Sequence, residues 1–63
     1  MKLISFVDLL GQDIYINPDL IEAVVDTGSD SKPMTKIFCS GAEEAYTVKG
    51  KATDVVSQLT NIK

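Results

Sequence analysis

The chain has 63 residues, of which 44% are hydrophobic and 24% charged, and it carries a formal net charge of −3 with no histidine and one cysteine. This length allows one domain with a small core, a lone cysteine excludes an internal disulfide, and a structural zinc site would lack its commonest ligands. Stability must then come from close packing or from self-association, so we expect a homo-oligomer without metal or cofactor.

The N-terminal segment MKLISFVDLLG loosely resembles a secretory signal, but Asp8 interrupts its apolar run and no small-residue cleavage site follows. No stretch approaches the length of about 18 apolar residues that a membrane span needs. A lone thiol without a disulfide framework suits a reducing compartment. We therefore expect a cytoplasmic protein with no membrane insertion.

Charge is distributed unevenly along the chain. Residues 1–31 carry six acidic side chains and one lysine, whereas residues 32–63 carry five lysines and three acidic side chains. The chain has no arginine and no basic cluster interleaved with aromatic residues, which argues against nucleic-acid binding. A nucleic-acid or nucleotide binder that uses the lysine-bearing half is kept as an alternative.

Alternating apolar residues and turn formers predict three strands in the first half, at about residues 2–8, 13–17 and 20–26. Gly11 supplies the positive φ of a tight turn between the first two strands. Ile14 and Ile16 share one face of the second strand, with Tyr15 opposite, and Pro18 ends that strand because it has no N–H for a ladder. A half-turn is expected at Asp19-Leu20-Ile21, before the third strand, and a short helix in place of that strand is the alternative.

The second half contains a loop of turn formers at residues 27–33, two further strands at about 34–40 and 45–49, and a helix at about 51–62. The helix is predicted by a single apolar stripe, formed by Ala52, Val55, Val56, Leu59 and Ile62. So short a helix must dock on the sheet to persist in water. The predicted fold is α+β, a small antiparallel sheet of four to five short strands closed by a C-terminal α-helix.

The segment Asp26-Thr27-Gly28-Ser29 matches the active-site loop of aspartic proteases residue for residue. Such an enzyme needs two aspartates about 3 Å apart, which a homodimer could supply. The rest of the protease pattern is missing, because no apolar pair and glycine follow to brace the loop and no long flap can be placed. We therefore interpret the motif as the end of a strand and a turn, and keep a homodimeric aspartic protease as the alternative.

Two further sites are candidates for chemistry. Calcium could be held by Asp26, Ser29 and Asp30, but the spacing and the terminal bidentate glutamate of calcium loops are lacking. Cys39 lies in the apolar run Ile37-Phe38-Cys39, which favours a small hydrophobic residue over a reactive thiol.

The segments YINPDLIEAVVDT and AYTVKGKATDVVSQL, placed on these elements, resemble the small bacterial FlbD family of flagellar, or swarming motility, proteins. NPDLIE is the most specific part of the resemblance. The matching residues are Ile4, Phe6, Gly11, Ile14, Ile16, Asn17, Pro18, Leu20, Ile21, Glu22, Gly41, Tyr46, Val48, Val55, Val56 and Leu59. The longer loop GSDSKPM, Lys36 and Gly50 depart from the family pattern. The resemblance implies a protein without catalytic residues that supports flagellar motor output, and similar small chains occur in phages.

Taken together, the sequence predicts a non-enzymatic interaction or regulatory module that self-associates and binds another protein. Polar and charged side chains in turns and at strand ends are the candidate partner-binding residues: Asn17, Asp19, Glu22, Asp26, Asp30, Lys32 and Lys36. For Asn17 and Pro18 a purely structural role, in which Asn17 hydrogen-bonds its own turn, is the preferred interpretation.

Overall fold

The computed structural model describes residues 3–60, which form five strands, one 3-10 helix and one α-helix. In chain order these are β1 (Ile4–Val7), β2 (Asp13–Ile16), the 3-10 helix (Pro18–Leu20), β3 (Ile21–Asp26), β4 (Met34–Cys39), β5 (Tyr46–Lys49) and α1 (Ala52–Thr60). The predicted α+β fold is confirmed, and each strand lies within the range predicted for it.

The strands form two antiparallel sheets, one of β1 and β2 and one of β3, β4 and β5 in that order. An isolated antiparallel bridge between Asp8 and Val48 links the end of β1 to β5. The two sheets therefore continue into each other, and β2 and β3 are the outermost of the described strands. The sequence predicted the strands but not this division.

The β1–β2 turn is built around Asp8. Its Oδ1 accepts hydrogen bonds from the N–H groups of Leu10 and Gln12, both at 2.9 Å. Gly11 has a φ of 83° and donates its N–H to the Asp8 carbonyl oxygen at 3.1 Å. The prediction that Gly11 makes a tight turn with positive φ is confirmed.

The connection from β2 to β3 is a single 3-10 turn. The Asn17 side chain accepts a 3.0 Å hydrogen bond from the Asp19 N–H, and Pro18 occupies the first helical position, where no N–H is needed. A strand follows from Ile21, so the expected half-turn is present and the alternative of a helix in place of the third strand is wrong.

Strand β3 contains a bulge. Ile21 pairs with Cys39, but Ala23 pairs with Phe38, so Glu22 is the extra residue on β3. A bulge re-aims the side chains on either side of it, and both Glu22 and Ala23 are exposed.

The core lies between the sheets and the helix. Its buried hydrophobic side chains are Phe6, Ile16, Ile37, Val48 and Val55. Ile37 on β4 and Val48 on β5 are completely buried, and half-buried residues such as Ile14 and Leu59 pack around them. Burial of a side chain of this size contributes about 1.5–3 kcal/mol, so a core this small gives only modest stability.

Helix α1 packs through Val55, with Ala52 and Leu59 half-buried. Val56 was predicted on the buried stripe, but it is 45% exposed. Successive residues of a helix are about 100° apart, so with Val55 at the centre of the contact Val56 turns out of it. Ile62, which the prediction also placed on the helix, lies outside the described residues.

In the part of the chain that the structure covers, no helix is long and apolar enough to cross a membrane.

Candidate functional site

An apolar groove runs beside β2. One wall is formed by residues 14–17, the other by Leu20 and residues 39–42, with Leu3 and Tyr46 completing it. The groove has a volume of about 380 Å³ and is open to solvent. We call it the β2 groove.

Among the described residues, four of the ten exposed large hydrophobic residues line the β2 groove. Leu3, Leu20 and Tyr46 are all exposed, and Tyr15 is 64% exposed. Single exposed apolar residues are ordinary on a protein surface, but several around one hollow typically mark an interaction site. The groove is therefore the strongest candidate for partner binding.

The backbone of β2 also faces this groove. In the β1–β2 ladder the Asp8 N–H bonds to the Gln12 carbonyl oxygen at 2.9 Å, and the paired residues continue from there in steady register. Hydrogen-bonded and non-bonded pairs alternate in an antiparallel ladder, so Ile14 and Ile16 direct their N–H and C=O groups toward β1. The peptide groups of Asp13 and Tyr15 consequently point away from β1, and Tyr15 lines the groove.

Carboxylates surround the groove. Asp13 directly precedes the wall formed by β2, Asp19 precedes Leu20, and Glu43 and Glu44 follow the wall at residue 42; all four are exposed. The described lysines lie elsewhere. Lys32 and Lys49 line a second hollow, Lys51 lines a third, and Lys36 is on the outer face of β4, paired with Val25 and Thr47. Among the described residues, the charged side chains adjacent in sequence to the groove walls are therefore carboxylates.

Cys39 is half-buried in the wall of the groove. Burial, and secondarily the Glu22 carboxylate, raise the pKa of the Cys39 thiol. A raised pKa keeps the group as a neutral thiol near neutral pH, whereas nucleophiles and metal ligands are thiolates. This agrees with its interpretation as a small hydrophobic residue.

The Asp26-Thr27-Gly28 segment forms the turn between β3 and β4. The Asp26 Oδ1 accepts a 3.2 Å hydrogen bond from the Gly28 N–H, and the N–H groups of Thr27 and Gly28 both approach the Met34 carbonyl oxygen, at 3.0 and 3.2 Å. A β-carbon on Gly28 would overlap the Lys32 carbonyl oxygen and the Met34 nitrogen. Aspartate and glycine thus both have a local role in the hairpin, which favours the turn interpretation over the protease alternative.

Asp26 and Asp30 line the third hollow, of about 460 Å³, together with Ser29 and Lys51. Within residues 3–60, no three histidine, cysteine, aspartate or glutamate side chains come close enough to hold a metal ion. The calcium alternative gains no support from this arrangement.

The seven candidate residues do not lie around one site. Asn17 lines the β2 groove, Asp19 is next to it in the sequence, and the Glu22 carboxylate raises the pKa of the Cys39 thiol in its wall. The other four candidates lie elsewhere. Asp26 and Asp30 line the third hollow, Lys32 lines the second, and Lys36 is exposed to solvent. The apolar residues of the groove, above all Leu3, Tyr15, Leu20 and Tyr46, are not among the candidates that the sequence predicts. The available signal was Tyr15, an aromatic residue predicted on the face opposite Ile14 and Ile16.

No protein-family model, curated protein or solved structure matches this chain.

Proposed function

We propose that this chain is a small non-enzymatic interaction module of the cytoplasm, which self-associates and regulates another protein by binding it in the β2 groove. A role like that of the FlbD proteins, or of a phage-encoded regulator, fits this proposal. The observation that carries it is the groove itself, an apolar hollow with exposed aromatic and leucine side chains inside an acidic surround.

Other features support the proposal. The Asp26 carboxylate has a structural partner in its own turn, the Gly28 N–H. Lys32 and Lys49 line the second hollow and Lys51 the third, but neither hollow has an aromatic or arginine residue among its described lining residues, and Asp26 and Asp30 share the third hollow with Lys51, which favours a protein partner over a phosphate backbone. The free Cys39 thiol suits the reducing cytoplasm.

The test compares three immobilised proteins in a lysate of the source organism: the wild type, Leu20→Asp in the groove, and Leu10→Asp as a matched control. Leu10 is 85% exposed in the β1–β2 turn and does not line the groove. A partner should be retained by the wild type and the control but lost by Leu20→Asp, and the purified partner should reproduce this order. Equal retention by all three proteins would show that the groove is not the binding site.

Self-association is supported by the balance between buried and exposed apolar residues. Among the described residues five hydrophobic side chains are buried, while ten large hydrophobic side chains are exposed. A chain of this size gains stability when a second copy covers part of that surface. The mass in solution, measured by light scattering over a range of concentrations, tests this part of the proposal.

A further inference from the structure

We propose that the β2 groove binds an extended segment of the partner, with apolar residues alternating with lysine or arginine, which adds to β2 as a further strand. This inference rests on the proposed function, since it specifies the partner of the same groove. It combines three features: the edge of β2 that no described strand pairs with, the apolar residues of the walls, and the carboxylates next to them.

The free edge of β2 supplies the backbone contacts. The Tyr15 N–H and C=O point away from β1, at the middle of the groove wall. An extended peptide that adds to a sheet edge obtains affinity from main-chain hydrogen bonds of this kind and specificity from its alternate side chains. The other outermost strand, β3, is interrupted by the bulge at Glu22, which disfavours pairing there.

The residues on the two faces of β2 determine which side chains are favoured on each face of the added strand. Successive side chains of a strand point to opposite faces, so alternate residues would lie beside Ile14 and Ile16 and contact Leu20 and Tyr46. The residues between them would lie on the face that carries Asp13 and Tyr15. A carboxylate and an exposed aromatic ring on that face favour a lysine or an arginine there.

Charge also decides against a second copy of this chain as the occupant. Pairing of two β2 strands would bring two acidic surrounds together, including Asp13, Asp19 and Glu43 of each copy. Like charges facing each other disfavour such a contact, whereas a basic segment is attracted and approaches faster at low salt. The groove therefore fits a basic partner rather than itself.

The experiment selects peptides of about ten residues, long enough to span β2 in extended form, from a random displayed library. Wild-type protein is the bait, and binders of Leu20→Asp are removed. We expect enrichment of peptides in which apolar and basic residues alternate. Enrichment of acidic peptides, or of apolar residues at helical spacing, would overturn the proposal, and so would the absence of any groove-dependent peptide.

Backbone pairing is tested with two N-methylated versions of the best selected peptide, one methylated at the odd-numbered residues and the other at the even-numbered residues. Only one of the two versions should bind more weakly, by at least about tenfold, because alternate N–H groups of an added strand point away from β2. Asp13→Lys should also weaken binding, while Asp54→Lys on the exposed side of α1 should not. Equal effects of the two methylations, or none, would overturn strand addition.

These outcomes are separate from those of the proposed function. If Leu20→Asp abolishes partner retention while both methylated peptides bind like the parent, the groove is the binding site and the added strand is wrong. If the groove variants change only the mass of the protein in solution and no peptide binds, a second copy is the occupant and the proposal is overturned.

Discussion

The hydroxyl of Thr35 donates a 2.8 Å hydrogen bond to the carbonyl oxygen of Gly50, 15 residues further along the chain. Thr35 is completely buried on β4, and Gly50 lies between β5 and α1 with a φ of 110°, a conformation that side-chain-bearing residues rarely adopt. The Gly50 N–H bonds in turn to the Pro33 carbonyl oxygen at 3.1 Å. The two backbone polar groups of Gly50 thus attach the start of the helical segment to β4 and to Pro33, the residue that precedes it.

Thr35→Val is expected to lower the free energy of unfolding by about 1–2 kcal/mol, because the partly buried Gly50 carbonyl loses its donor while the side-chain volume is nearly unchanged. Urea unfolding followed by circular dichroism measures this. Thr47→Val is the matched control on the neighbouring strand, with an expected change within about 0.5 kcal/mol. Equal stability of the two variants would show that the Thr35 hydrogen bond contributes nothing.

Gly28 is required for space rather than for its φ. The positive-φ glycines of the described chain are Gly11, Gly41 and Gly50, whereas a β-carbon on Gly28 would overlap the backbone of the returning strand. Gly28→Ala should therefore cost about 1–3 kcal/mol through overpacking, and Gly28→Asn at least as much. At Gly11, where space is open, asparagine should be tolerated with a loss below about 1 kcal/mol, since asparagine enters the left-handed region readily. Thermal unfolding of the three variants distinguishes them, and a Gly28→Asn protein as stable as Gly11→Asn would contradict the steric account.

Local chemistry explains why the strands could be predicted from sequence. Ile4 and Phe6 alternate with exposed residues, Gly11 marks the first turn, and Pro18 ends β2. Each of these signals acts over a few residues, which is the range that a sequence pattern reports.

The candidate site depends on contacts between residues that are far apart in the sequence, so local sequence patterns do not predict it. The Asp8–Val48 bridge joins segments 40 positions apart, and the β2 groove exists only because Tyr46 and residues 39–42 come to face β2. The bulge at Glu22 is likewise a matter of register between β3 and β4. Val56 has the same explanation. The apolar stripe predicts which side of the helix packs on the sheet, but not which residue of the stripe lies at the centre of the contact.

The turn interpretation of Asp26 predicts a particular ranking of variants. Asparagine retains an oxygen that can accept from the Gly28 N–H, so Asp26→Asn should stay within about 0.5 kcal/mol of the wild type, while Asp26→Ala should lose about 1 kcal/mol. Urea unfolding gives the ranking. Peptide cleavage at acidic pH, assayed in parallel, tests the protease alternative: an activity present in the wild type and lost in the stable Asp26→Asn protein would establish it.

Glu22 is expected to slow the reaction of Cys39 with alkylating reagents. Its negative charge contributes to the raised pKa of the thiol, so Glu22→Gln should lower that pKa, increase the thiolate fraction and speed alkylation by iodoacetamide near pH 8. Glu43→Gln is the control, because burial and Glu22 are what raise the pKa. A rate unchanged by Glu22→Gln would contradict the electrostatic contribution.

The same raised pKa makes stability depend on pH. The folded chain retains the thiol proton at a pH where the unfolded chain has lost it, so this contribution is complete below the unfolded pKa of about 8.5 and is lost as pH rises through the folded value. Urea midpoints of the wild type should therefore fall more steeply above this pH than those of Cys39→Ala. Parallel slopes would show that the thiol is not perturbed by folding.

Val25 and Phe38 form an exposed apolar pair, on which the proposed self-association can be tested. They are diagonal neighbours on the outer face of the larger sheet, since Val25 pairs with Lys36 and Phe38 with Ala23, and they are 44% and 41% exposed. If a second copy covers this face, Val25→Lys should raise the dissociation constant at least about tenfold, because a lysine cannot be buried there without a partner. Val56→Lys, on α1 at 45% exposure, is the matched control and should leave the constant unchanged. Sedimentation equilibrium of the three proteins gives the dissociation constants. A wild type that is monomeric at every concentration would show that self-association is not part of the function. The β2 groove would still be tested by its own variants.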